Sequence, residues 1–104
     1  MKIIKPSKEM KTVETIFEIA AQENKKVTIG KATVLPGQRL PEIGTTTHTA
    51  DEYSYIIKGD IYTASGGSNG VVLEGSSTFI PKGEEHWCRN DGTEAVEIIW
   101  VFVE

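Results

Sequence analysis

Cysteine and long apolar runs are the clearest absences in this chain of 104 residues. The one cysteine, Cys88, excludes an intramolecular disulfide. No apolar run approaches the roughly 20 residues that cross a bilayer, and the first residues lack the apolar core of a secretory signal. We therefore expect a cytoplasmic protein with no membrane partner.

Basic charge is also scarce, with 11 Lys and Arg residues against 15 Asp and Glu residues and a net charge of −4. Because binding to phosphates needs clustered Lys and Arg, we expect no nucleic-acid partner. No nucleophile elbow, phosphate-binding loop or paired-cysteine motif occurs. The hydrophobic content of 38% and charged content of 25% are those of a globular protein, and the length predicts one domain.

Short strands separated by turns are predicted for the C-terminal half. Runs of β-branched and aromatic residues bounded by turn formers indicate strands at Tyr53–Ile57, Ile61–Ala64, Val71–Leu73 and Ser77–Ile80. The stretch Ser65–Gly70 is rich in Gly, Ser and Asn, and we expect a loop there. From Val96 to Val103 both alternating faces are largely apolar, which predicts a strand covered on both sides.

The N-terminal third fits two structures. Apolar residues from Val13 to Ala21 follow a helical stripe. The same stretch, residues 12–20, also fits a strand that turns at Gln22–Lys25 into a second strand at Val27–Leu35. Local pattern alone slightly favours the helix.

Both histidines of the chain lie beside strand-like runs. His48 is followed four residues later by Glu52, and even spacing on a strand places both on one face. His86 follows the turn Pro81–Glu84. Two imidazoles and a carboxylate are a common ligand set for a divalent metal.

The spacing of these segments resembles that of the small single-domain cupins. Their second motif, G-x5-P-x-G-x2-H-x3-N, is matched at every position, by Gly75, Pro81, Gly83, His86 and Asn90.

The first cupin motif, G-x5-H-x-H-x3,4-E-x6-G, is matched in part. His48, Glu52 and Gly59 occupy its second histidine, its glutamate and its closing glycine. Thr46 stands in place of the first histidine, and Leu40 in place of the opening glycine.

The resemblance implies an all-β fold, a double-stranded β-helix or jelly-roll cupin barrel, as one domain over residues 1–104. It implies N-terminal strands within residues 1–33, so we predict a strand at residues 12–20, and a barrel over residues 34–104. Small cupins pair through their sheets, so we expect a homodimer.

The implied metal ligands are His48, Glu52 and His86, holding one divalent ion that could be Fe, Mn, Zn, Ni or Co. Glu42 or Gln38 could offer an oxygen where Thr46 replaces the first histidine. Pocket residues for a small organic molecule are expected to be Ser54, Tyr55, Phe79, Cys88, Trp100 and Phe102. Tyr53 and Trp87 are expected to face outward.

The function expected from this resemblance is that of a metal-binding cupin holding a small organic molecule in the barrel. Such a protein could be an enzyme of dioxygenase, isomerase or lyase type. The alternatives are a non-catalytic small-molecule binding or sensing module that has lost its metal site, and a partner subunit of a larger assembly. The fold alone does not determine which of these functions the protein has.

Overall fold

A computed structural model describes residue 5, residues 12–22 and residues 25–104. For residues 17–22 it describes the backbone alone. The described chain is all-β, with the strands β1 (Val13–Gln22), β2 (Lys25–Val34), β3 (Arg39–Leu40), β4 (Asp51–Lys58), β5 (Ile61–Ser65), β6 (Ser68–Val72), β7 (Ser77–Ile80), β8 (His86–Arg89) and β9 (Val96–Val103). Within those residues there is no helix of the length and apolarity that crossing a membrane requires.

Two antiparallel sheets face each other. The larger has the strand order β1-β2-β9-β4-β7, and the smaller has the order β3-β8-β5-β6. Because consecutive strands repeatedly alternate between the sheets, residues far apart in sequence meet in the space between them. This is the two-layered arrangement of a jelly roll, and the predicted fold is confirmed.

The strand predicted for residues 12–20 is confirmed, and the helix is excluded. β1 pairs with β2 from Val13 opposite Ala32 to Gln22 opposite Lys25. The register shifts between Thr15 and Phe17 and again between Ala20 and Gln22. Each shift is an irregularity in the pairing, and a strand with such irregularities need not keep a strict two-residue alternation along its sequence.

The core lies at one end of the space between the sheets. Val34, Ile56, Ile61 and Val96 are fully buried there and pack together. They come from β2, β4, β5 and β9, so this cluster joins the larger sheet to the smaller one. Burying four such aliphatic side chains contributes about 1.5–3 kcal/mol each, as an upper estimate.

β9 is the central strand of the larger sheet, paired with β2 on one side and β4 on the other. Its inward residues include Val96 and Trp100, which are buried. Its outward residues Ile99 and Val101 are half-buried in the single chain. The inner face of β9 is therefore covered, as predicted, whereas its outer face is covered only in part.

The loop predicted at Ser65–Gly70 is wrong for most of its length. Ser65 ends β5, and the chain turns through Gly66 and Gly67 into β6, which begins at Ser68. Gly66 has a φ of +57°, which glycine adopts without steric cost. The partner strand supplies the backbone hydrogen bonds, so the polar residues after the turn extend the hairpin instead of forming a loop.

Candidate metal centre

A cavity of about 490 Å³ opens between the two sheets, at the end of the barrel away from the core. Its walls come from β1, β2, β4 and β9 on one side and from β3 and β8 on the other, together with the segment between β3 and β4. Most of the lining is apolar, and the full set is Val13, Thr15, Ala32, Leu40, Pro41, Thr46, His48, Glu52, Ser54, His86, Cys88, Ile98, Trp100 and Phe102.

The three predicted ligands meet in this cavity. One ligand atom each from His48, Glu52 and His86 lies within 4.8 Å of the others. The Nε2 of His48 is 3.6 Å from the Oε1 of Glu52. Two ligands bound side by side to one ion at 2.0–2.2 Å lie about 3.0–3.5 Å apart, so small side-chain rotations bring this set to metal-binding distance. The donor types also suit a borderline divalent ion.

His86 is fixed by its backbone and by its ring. Its N–H and carbonyl pair with the carbonyl and N–H of Thr46, both at 3.0 Å. Its Nδ1 lies 2.9 Å from the carbonyl oxygen of Glu84. A carbonyl oxygen only accepts, so Nδ1 carries the proton and Nε2 keeps its lone pair free for a ligand.

His48 lies before β4, not on it, and is held by the turn that precedes β8. The N–H of Gly83 donates to the carbonyl oxygen of His48 at 2.8 Å. The N–H of Lys82 donates to the Oδ1 of Asp51 at 3.0 Å. The His48 ring lies against that of Phe102, with ring centroids 4.6 Å apart. The Pro-x-Gly turn of the second motif therefore positions the histidine of the first.

The apolar surroundings shape the protonation of the site. Burial lowers the pKa of His48, and the nearby His86 lowers it further. Burial raises the pKa of Glu52, and the charge of His86 opposes this only in part. A bound cation would coordinate the neutral imidazole of His48. It would also stabilise the charged carboxylate of Glu52, which burial disfavours.

Four of the six predicted pocket residues line the cavity, namely Ser54, Cys88, Trp100 and Phe102. The placement of Tyr55 and Phe79 was wrong. They are 49% and 54% exposed and lie on the outer face of the larger sheet. Tyr55 is two residues from Tyr53 and shares its face, and Phe79 is the cross-strand neighbour of Tyr53, with ring centroids 5.0 Å apart.

The outward placement expected for Tyr53 and Trp87 agrees with the structure. Tyr53 is 49% exposed. Trp87 lies on the outer face of the smaller sheet, where the guanidinium of Arg39 sits 4.2 Å from its ring centroid.

Cys88 lines the cavity as a neutral thiol. Its pKa is raised to about 11, first by burial and then by the charge of Glu52. Its sulfur is not part of the three-residue cluster. We therefore assign it to the wall and not to the ligand set.

The position of the missing first histidine is filled by Thr46, whose side chain is on the cavity wall. The two substitutes considered from the sequence do not reach it. Gln38 accepts a hydrogen bond from the N–H of Leu35 and donates one to Thr12. Glu42 is exposed, and neither it nor Gln38 lines the cavity.

The wall formed by β1 and β2 was missed by sequence reasoning. Thr15 and Ala32 line the cavity from this side. Gly30 lies beneath the indole of Trp100, where a Cβ would come within 2.1 Å of the ring. The alternation of small residues at Gly30 and Ala32 was a usable signal, because small residues on one face of a strand leave room for a large neighbour.

Asn90, the last residue of the second motif, has a structural role. It is fully buried. Its Nδ2 donates to the carbonyl oxygens of Val34 and Glu94, and its Oδ1 accepts from the N–H of Gly92. It thereby ties β2 to the turn that leads into β9.

Two antiparallel sheets enclosing a cavity with a His-Glu-His cluster define a double-stranded β-helix protein. The chain belongs to the cupin family, because the family model described as "Cupin domain" matches residues 30–102. No functionally curated protein matches the chain in sequence.

Solved structures agree on the fold. An RmlC-like cupin family protein with a double-stranded β-helix fold from Methanocaldococcus jannaschii is similar, with a TM-score of 0.75, 17% identity and coverage of 98% of this chain and 89% of that chain. TT1209 from Thermus thermophilus is similar at a TM-score of 0.69 and 21% identity, covering 86% of this chain and 79% of that chain. An oxalate oxidase is similar at a TM-score of 0.65 and 24% identity, covering 73% of this chain and 41% of that chain. Likeness at these identities concerns the fold alone.

Proposed function

We propose that this cupin holds one divalent metal ion on His48, Glu52 and His86 and binds a small organic molecule beside it in the barrel. The observation that carries the proposal is the convergence of three ligand atoms within 4.8 Å on the wall of a cavity large enough for a ligand. Three protein ligands leave coordination positions open for water or an organic molecule. A bound ion would supply Lewis-acid or oxygen-activating chemistry.

The residues of the chain have separate roles in this proposal. The Glu84 carbonyl keeps the proton of His86 on Nδ1, and the lowered pKa of His48 favours its neutral imidazole. The rings of Trp100 and Phe102 pack against each other at a centroid distance of 4.7 Å and give the cavity an apolar wall. Ser54 offers a neutral hydroxyl for orienting a ligand.

Metal content tests the proposal directly. Untagged protein purified without chelator should contain close to one equivalent of metal by mass spectrometry, or take one up when offered Fe(II), Mn, Zn, Ni and Co in turn. His48→Ala, His86→Ala and Glu52→Gln should lose it. Glu85→Gln removes an exposed carboxylate next to His86 and should keep it. Metal-free wild type after every loading, or full occupancy in His86→Ala, contradicts the assignment.

A second candidate is a binding module that works without metal. It is favoured by Thr46, which puts a hydroxyl on the cavity wall where the family pattern has an imidazole. A ligand that raises the melting temperature of metal-free protein, with no effect of added metal, would support this second function over the first.

We also propose that two copies of the chain pair through the outer face of the larger sheet. Tyr53, Tyr55 and Phe79 are each about half exposed there, and they adjoin the half-buried Ile99 and Val101. A contiguous aromatic and aliphatic surface of this kind is uncommon on a monomer. A second copy is the occupant we favour, because a chain of 104 residues buries a limited share of its own surface.

A further inference from the structure

The described residues that line the cavity carry no cationic side chain. None of them is a lysine or an arginine. Apart from the three candidate metal ligands, its polar groups are neutral, namely the hydroxyls of Thr15, Thr46 and Ser54, the thiol of Cys88 and the indole of Trp100. The rest of the lining is aliphatic or aromatic.

The arginines of the chain are occupied elsewhere. Arg39 lies over the ring of Trp87 on the outer face and donates to the carbonyl oxygen of Pro41. Arg89 is paired with Asp91. Neither guanidinium lines the cavity, so neither supplies a countercharge to a ligand inside it.

The formal charge of the loaded site then limits the charge of its ligand. A divalent ion with one carboxylate, from Glu52, and two neutral imidazoles has a net charge of +1. One negative charge on the ligand brings the site to neutrality. A second negative charge would lie in an apolar space where the described lining offers no cation to pair with it, which is strongly unfavourable.

We propose that the ligand of this cavity is a singly charged, mainly apolar organic anion that coordinates the metal at one end. Dicarboxylates and phosphate esters are selected against. This inference rests on the proposed metal site and names the class of molecule that the site takes. The apolar tail lies against the wall made by Ala32, Ile98 and Phe102, since these residues offer contact area but no hydrogen bond.

A matched pair of chelating acids tests the charge requirement. 2-Oxopentanoate and 2-oxopentanedioate share the metal-binding end and differ only in a terminal methyl or carboxylate group. Protein loaded with Zn²⁺, which has no redox chemistry, is titrated with each by calorimetry. We expect the monoacid to bind at least about tenfold more tightly. Lengthening it to 2-oxohexanoate should tighten binding about fourfold further, the usual effect of one buried methylene.

A pair of lysine variants tests whether the missing cation sets this preference. Thr15 is on the cavity wall and is exposed, so Thr15→Lys brings an ammonium to the cavity at a position that tolerates a long side chain. Thr93→Lys adds the same charge at the other end of the barrel. Thr15→Lys should bring the affinity ratio of the two acids close to one or invert it, and Thr93→Lys should leave it unchanged.

The results separate this inference from the proposed function, because bound zinc is measured before any acid is added. One equivalent of zinc, with the diacid bound as tightly as the monoacid or neither acid bound at millimolar concentration, overturns the inference and leaves the metal site standing. An unchanged ratio in Thr15→Lys also overturns it. Failure to take up zinc or any other divalent ion overturns both.

Discussion

Thr46 and His86 face each other across a two-way backbone hydrogen bond, each donating its N–H to the other's carbonyl oxygen at 3.0 Å. Residues opposed in this way have Cβ atoms about 4.5–5.5 Å apart on the same side of the pairing. Both side chains line the cavity. Thr46, which stands in place of the first histidine of the first motif, is thus the immediate neighbour of His86, the histidine of the second motif.

Restoring an imidazole at this position should strengthen metal binding. In Thr46→His the new ring starts beside His86 on the cavity wall, within reach of an ion held as proposed by the other three residues. We expect the dissociation constant for Zn²⁺ to fall by about tenfold or more, equivalent to about 1.4 kcal/mol. Competition with a chromogenic chelator measures it. Thr47→His places the same ring at the neighbouring exposed position and should change nothing; equal gains in both variants would contradict the geometry.

Glu52 should destabilise the metal-free protein near neutral pH. Its pKa is raised above 4.5 by burial, so between 4.5 and that raised value the folded state binds more protons than the unfolded state. Stability from this group therefore falls as pH rises through that window, and the loss persists above it. Glu52→Gln removes the effect and should raise the unfolding free energy at pH 7 by about 1 kcal/mol, with no gain below pH 4.5.

His48 changes the stability of the metal-free protein with pH in the direction opposite to Glu52. Its pKa is lowered from 6.5, so stability from His48 falls as pH drops below 6.5 toward the folded value. Urea unfolding of metal-free protein from pH 4 to pH 8 separates the two contributions, because Glu52→Gln leaves the His48 contribution in place. With saturating Zn²⁺ the order should reverse, and wild type should be more stable than Glu52→Gln. A Glu52→Gln variant that is less stable than wild type at pH 7, both without metal, would contradict the destabilising effect assigned to Glu52.

The motif spacing predicted the fold well because its fixed residues perform local backbone tasks. Gly83 has a φ of +80°, as the turn before β8 requires, and its N–H reaches His48. Asn90 satisfies three backbone groups around β9. Such tasks need one residue type at one spacing, and a sequence shows both.

The remaining parts of the site depend on sheet register, which the sequence does not display. Tyr55 and Phe79 are as apolar as Trp100, and only strand parity and cross-strand pairing place them outside. Likewise, Thr15 lines the cavity because the pairing of β1 with β2 sets it opposite Gly30, on the side where Ala32 also lines the cavity. Apolar character alone does not distinguish a cavity wall from an outer face when both faces of a sheet are apolar.

Gly30 should be required for the position of Trp100. A Cβ at residue 30 would lie 2.1 Å from the indole and 2.3 Å from the carbonyl oxygen of Glu14, so Gly30→Ala forces the ring or β1 to move. We expect a loss of about 1–3 kcal/mol, the usual cost of overpacking. Gly67→Ala is the matched control, because a Cβ there meets nothing within 4 Å. Thermal unfolding of both variants measures the difference, and equal losses would show that the effect does not come from contact with Trp100.

Asn90→Ala should reduce stability without removing metal. The substitution leaves the buried carbonyl of Val34 and the partly buried carbonyl of Glu94 without this donor and should cost about 2–3 kcal/mol. The folded fraction should still bind one equivalent of Zn²⁺, because Asn90 does not line the cavity. Urea unfolding and metal analysis of the same preparation check both parts. Loss of zinc from protein that remains folded would assign Asn90 a direct part in the site.

The proposed pairing through the larger sheet predicts which charged substitutions produce monomers. Tyr55→Lys and Phe79→Glu each place a charge in the centre of the outer aromatic surface, where a dimer would bury it without a partner. Both positions are about half exposed in the single chain, so the fold should survive. Light scattering after size exclusion should give a dimer for wild type and a monomer for each variant. Val71→Lys, at a residue that is 60% exposed on the smaller sheet, should remain dimeric. A monomeric wild type at tens of micromolar, or a dimer that only Val71→Lys disrupts, would move the interface away from this face.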